Sequence, residues 1–180
     1  MAKHTYESVF SELKKGVFRP VYYFMGEESY YIDKLTDYIA ENALSEEDKG
    51  FNQTIFYGLD TTVDTIVNAA RSFPMMSERQ VIIVKEAQLL KNIENLTPYL
   101  KHPQPTTVLV FAHKNGSLDK RKKIAAELER VGVVLEFKKV KDEHLPVFVN
   151  NYLRGKGLVA DTKCVSLLCE SVGSDLNRLV

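Results

Sequence analysis

Val21–Met25 and Val81–Val84 are runs of almost uninterrupted apolar residues that leave no polar face for water. Short strands of that kind are buried on both sides, and such burial requires a sheet with helices on each face. The intervening segments supply those helices. Tyr6–Lys15 places Val9, Phe10 and Leu13 on one face, with Gly16 as its stop. After the first apolar run, Ile32, Leu35, Ile39 and Ala43 recur at helical spacing. Asn52–Tyr57 reads as a second strand, and Thr61 or Thr62 caps a helix through Val63, Ile66, Val67 and Ala70. The third strand is Gln80–Lys85, followed by a helix from Ala87 to Leu90 that continues toward Leu100. Thr107–Ala112 is the fourth strand. Ser117 is expected to cap a helix through Ile124, Leu128 and Val131, with Asp119 in its first turn and Gly132 at its end. Val133–Lys138 is the fifth strand. Strands alternating with helices give an α/β fold, a five-stranded parallel sheet flanked by helices.

Beyond about Asp142 the strand pattern ceases. Leu145–Leu153 and Asp161–Val172 read as helices separated by Gly155 and Gly157, so the expected organisation is an α/β domain over 1–141 and a small all-helical domain over 142–180. Gly173-Ser174-Asp175 is expected to cap a further helix that the chain leaves after little more than one turn, which points to a piece of a longer protein.

Charge excludes little by itself: 24 basic residues balance 24 acidic ones, so no overall field selects nucleic acid or a membrane. Lys120, Arg121, Lys122 and Lys123 form a local basic cluster, read first as the solvated face of a helix and second as a nucleic-acid contact. No stretch approaches the roughly 18 apolar residues of a membrane span, and the N-terminus has no signal-like apolar core. Cys164 and Cys169 fit neither a redox motif nor a secreted disulfide framework, so buried reduced thiols and a cytoplasmic location are expected.

The first strand turns into a helix through Gly26, which is where a nucleoside-triphosphate site keeps its phosphate cradle. A working cradle needs several glycines, a Lys and a Ser or Thr for magnesium. This junction has Gly26, then Glu27 and Glu28, whose carboxylates satisfy the helix dipole and repel a triphosphate. The second half of such a site is a carboxylate after an aliphatic strand, because magnesium needs a hard oxygen ligand. Val81–Val84 is followed instead by Lys85 and then Glu86. Both halves are degenerate, and independently so. His4, His102, His113 and His144 have no metal-ligand spacing, and no nucleophile elbow is present. The sequence therefore offers no catalytic set, no metal site and no cofactor.

One oddity remains, Ser72-Phe73-Pro74-Met75-Met76-Ser77-Glu78-Arg79. Pro74 breaks the preceding helix, and two methionines stand among polar residues. They serve either as filler over the sheet edge or as an exposed apolar wedge, since flexible thioethers suit adaptable protein-binding surfaces. Composition leaves both readings open.

The opening PVYYFMGEESYYIDK, the segment SFPMMSERQVIIVKEA, the DKRKKIAAEL helix and the ending VGSDLNRLV, in that order, resemble the delta subunits of the bacterial DNA polymerase III clamp loader over nearly the whole chain. The resemblance implies an ATPase-like domain of the AAA+ type, a small helical lid-type domain, and a helical collar that would follow Val180. It implies a replication protein that does not hydrolyse ATP, with any polymerase activity belonging to the holoenzyme. Such subunits bind the ring-shaped sliding clamp (the beta subunit) and open its interface, while motor subunits use ATP to time that contact. Their partners are gamma/tau-type and delta-prime-type subunits, with DNA nearby only in the assembly, and a fragment without the collar would be monomeric. In that family the clamp contact is an apolar pair before the Arg that precedes the third strand. Aligned on Arg79, this places Met75 and Met76 at the pair, with methionine where aromatics are common and Phe73 as a supplementary contact.

Two other classes are weighed beside it. An active nucleotide-dependent enzyme on the same scaffold would need the cradle that is missing here. A nucleic-acid-binding module would use Lys120–Lys123 with Lys138, Lys139 and Lys141.

Overall fold

The computed structural model of the chain describes residues 4–172 and 176–178. The cap expected at Gly173-Ser174-Asp175 lies outside them. The chain divides into two units, Met1–Phe137 and Lys138–Val180.

The first unit is built on five parallel strands in the order β2-β3-β4-β1-β5. They are β1 (Val21–Gly26), β2 (Gln53–Tyr57), β3 (Gln80–Lys85), β4 (Thr107–Lys114) and β5 (Val133–Phe137). Every residue of β1 is buried, as its apolar run requires. Strand alternation splits the core in two. Tyr22, Phe24, Ile83 and Val110 pack on one face under α1 (Tyr6–Lys14) and α2 (Ser29–Asn42), through Val9, Leu13, Ile32, Leu35 and Ile39. Val21, Tyr23, Met25, Val84 and Phe111 line the other face, against α4 (Val63–Arg71), α5 (Thr97–Lys101) and α6 (Lys123–Val131). Each of these side chains is worth about 1.5–3 kcal/mol when fully buried. Edge strand β2 is different, with Thr54, Ile55 and Tyr57 open to water.

Thr62 is the cap of α4, its hydroxyl accepting from the Thr65 N–H at 3.2 Å. Several expectations need correction. Asn52 does not begin β2; it ends an unforeseen short helix, α3 (Glu46–Asn52), capped by Ser45. The helix expected from Ala87 toward Leu100 is two 3-10 turns followed by α5, interrupted at Asn92, which adopts a left-handed backbone with φ 55°. Ser117 does not cap α6. That helix starts later, after Lys122, and Asp119 instead accepts from the Arg121 backbone N–H at 3.0 Å.

The second unit, as described, contains helices and no strand: α7 (Leu145–Gly155) and α8 (Thr162–Val172) flanked by 3-10 turns. Asp161 starts α8 by accepting from the Cys164 N–H at 2.7 Å. Its thiols are free and not fully buried: Cys164 is exposed, and Cys169, one turn on from buried Val165 on the same face of α8, is half-buried.

Candidate functional site

All five strands of the parallel sheet finish at one edge. β1 ends there in Gly26, which has φ +129°. A Cβ at this position would lie 2.1 Å from the Phe137 carbonyl oxygen, so only glycine lets the end of β5 approach. That carbonyl accepts from both the Glu27 and the Glu28 N–H, at 2.9 and 3.2 Å. The donors that would face a phosphate are thus turned to protein. Glu27 is exposed, whereas Glu28 is buried.

Lys85 and Glu86 reach the same edge two strands away. Lys85 is half-buried, its ammonium 3.7 Å from the Asp37 carboxylate on α2. Glu86 is exposed and left-handed, with φ 53°. Between them and Gly26, Lys114 ends β4 in register with Gly26 and holds Asp33 of α2 at 2.7 Å. Both lysines at this edge are therefore paired with carboxylates of α2. Among the described residues, no three His, Cys, Asp or Glu side chains gather to hold a metal ion.

The Ser72–Arg79 segment links α4 to β3, and here the structure separates the two sequence readings. Phe73, Met75 and Met76 are 79, 60 and 99% exposed, so the methionines are not filler over the sheet. Met76 sits in the left-handed region with φ 52°. The base of the loop is tied down. Gln80 Nε2 donates to the Ala69 carbonyl at 3.2 Å and to Thr107 Oγ1 at 2.8 Å, and the Arg79 guanidinium lies 5.0 Å from the centre of the Phe18 ring. The tip is tied to α3. Asn52 donates through Nδ2 to the Met75 carbonyl at 2.9 Å, and its Oδ1 accepts from the Met75 N–H at 2.6 Å. Asn52 is only 4% exposed. Next to it, Phe51 is 76% exposed.

Sequence reasoning missed both Asn52 and Phe51, because α3 is polar apart from Phe51 and shows no apolar period. Its one legible signal is Ser45 before Glu46, Glu47 and Asp48, a capping residue with an acidic first turn.

Lys120, Arg121 and Lys122 lie in the turn before α6, not on an exposed helix, and Lys123 opens that helix. Three of the four are matched by carboxylates, Lys120 with Glu136, Arg121 with Asp119 and Lys122 with Glu94. No helix among the described residues is long and apolar enough to cross a membrane.

Comparison with known proteins connects these features. Residues 22–138 match the family model described as DNA polymerase III, delta subunit. The chain is 28% identical to the DNA polymerase III subunit delta of Bacillus subtilis (strain 168), over 95% of this chain and 52% of the relative. Among solved structures it is similar to the Bacillus subtilis DNA clamp loader delta protein, with a TM-score of 0.79, 27% identity, and coverage of 97% of this chain and 55% of that one. A polymerase III gamma subunit-related protein from Thermotoga maritima shares the fold at a TM-score of 0.52 and 14% identity, over 96% of this chain and 59% of its own. The chain spans about half the length of the delta relatives it matches.

Proposed function

The chain belongs to the DNA polymerase III delta subunit family, and on that premise we propose that its Ser72–Arg79 loop binds the sliding clamp and helps to open the ring during DNA replication. The observation that carries this reading is the set of exposed apolar side chains, Phe73, Met75 and Met76, on a loop pinned at its base and its tip. Exposed apolar groups on a held backbone suit insertion into a pocket, because little freedom is left to lose on binding. A wedge opens a ring only by binding the open interface more tightly than the closed one. Met76, the most exposed of the three, is the leading anchor, with Met75 and Phe73 beside it.

In this reading, residues 1–141 are the ATPase-like, clamp-binding domain and 142–180 the lid-type domain. The subunit acts without hydrolysing ATP, since Glu27 and Glu28 turn their N–H groups to Phe137 and Lys85 stands at the metal-ligand position. It works in the cytoplasm within a loader that includes gamma/tau-type and delta-prime-type subunits. The carboxylates beside Lys120, Arg121 and Lys122 weaken the local positive field, so DNA contact is assigned to the assembly, not to this chain alone.

The test is a calorimetric titration of the cognate clamp into the chain carrying Met75→Ala and Met76→Ala. Two buried apolar side chains contribute together about 3–6 kcal/mol, so affinity should fall by roughly 100-fold or more. The circular dichroism spectrum should not change, because neither side chain is in the core. Undiminished affinity would remove these residues from the site.

A further inference from the structure

We propose that Asn52 is the positioning residue of the clamp-binding loop: without touching the clamp, its side-chain amide holds the loop in the shape that presents Met75 and Met76. This inference rests on the loop reading above and deepens it.

Residues 73–79 belong to no helix or strand, and among the described residues they form no backbone–backbone hydrogen bond with one another or with the sheet. Among the described residues, the only hydrogen bonds of this stretch are the two between Met75 and Asn52. Those two bonds have a specific chemistry. One residue's N–H and C=O are matched by one acceptor and one donor on a single planar amide, as a neighbouring strand would match them. Pro74 has no N–H of its own to offer, and Met76 takes a backbone conformation that side-chain-bearing residues avoid. The tip therefore has little intrinsic preference for its shape, and the hold comes from outside it, 23 residues earlier in the chain. Asn52 is itself fixed, buried at the end of α3. The arrangement explains an otherwise odd pairing, a buried amide bonded to the backbone of one exposed methionine and next in line to a second that is fully exposed. A free loop would have to be ordered at the moment of binding; a held one arrives ordered.

The replacements separate positioning from simple damage. Asn52→Leu is similar in size but offers neither donor nor acceptor. Asn52→Asp is closer still, yet its ionised carboxylate can only accept, and it would face the Met75 carbonyl with like partial charge. Once protonated, that carboxyl donates again and restores both bonds.

The experiment titrates the sliding clamp of the same organism into the full 180-residue chain, as wild type, Asn52→Asp, Asn52→Leu and the Met75→Ala/Met76→Ala double variant. At near-neutral pH both Asn52 variants should bind about tenfold more weakly, as expected when a held loop is released. At mildly acidic pH the Asn52→Asp deficit, measured against wild type at the same pH, should close, and the Asn52→Leu deficit should persist. Wild-type affinity in both folded Asn52 variants would overturn the proposal, as would an Asn52→Asp deficit that ignores pH. If only the methionine variant loses affinity, the loop reading stands and the role of Asn52 falls. If the methionine variant binds normally, the loop reading itself falls. Should a variant fail to fold, amide hydrogen exchange of the wild type decides: the Met75 N–H should be protected while those of Phe73, Met76 and Ser77 exchange freely, and an unprotected Met75 would overturn the inference.

Discussion

At Gly26 the backbone takes φ +129°, and the missing side chain leaves room for the Phe137 carbonyl, which binds the two following N–H groups. A single methyl group there would meet backbone oxygen, which cannot swing aside like the end of a flexible side chain. Gly26→Ala should therefore cost about 3–5 kcal/mol, combining backbone strain with displacement of the end of β5. Chemical denaturation checks it, and an unchanged midpoint would contradict the account. Gly26 was legible as a turn glycine from the strand-to-helix pattern. Its partner was not. Phe137 lies 111 residues away in sequence at the end of an ordinary strand, and only the closing of β5 beside β1 brings the two together. The same applies to Asn52 and Met75, since nothing in a polar segment announces which distant backbone its amide will serve.

Strand β4 carries the consequence of burial at the level of an element. Its His113 is half-buried, with Nδ1 2.8 Å from the Tyr23 hydroxyl on β1. Burial pushes the imidazole below its ordinary value of 6.5, and it raises the Tyr23 phenol, which keeps its proton. The fold therefore favours neutral His113, and the unfolded chain takes up that proton first. Its contribution to stability is present above the ordinary histidine value and is lost as pH falls below it toward the depressed one. Thermal unfolding of His113→Gln should accordingly show a shallower loss of stability on acidification than the wild type, and parallel curves would contradict this. At this scale the sequence served well where burial is two-sided. The β3 bounds, Gln80–Lys85, follow from an apolar run with polar ends, and the β1 start at Val21 follows likewise. It served poorly where local chemistry overrides periodicity. Apolar residues between Ala87 and Leu100 suggested one helix, but the left-handed backbone at Asn92 breaks it into short pieces. The basic run before α6 likewise looked helical, yet Asp119 draws the Arg121 backbone and side chain into a turn.

At the level of the whole molecule, the α/β layers of the first unit present an edge where Lys85 and Lys114 are already paired with aspartates. Saturating magnesium-ATP should leave the unfolding midpoint where it is, because a ligand raises stability only as far as it binds the native state. A clear upward shift in a thermal-unfolding assay would contradict this. The feature with the widest reach is the pair of aspartates one turn apart on α2, Asp33 holding Lys114 and Asp37 holding Lys85. In a site whose charges are balanced by bound ions, that balance goes when the ions leave. Here the counter-ions are covalent parts of the chain and never leave. The charge balance of this edge is thus written into the sequence and does not depend on what is bound.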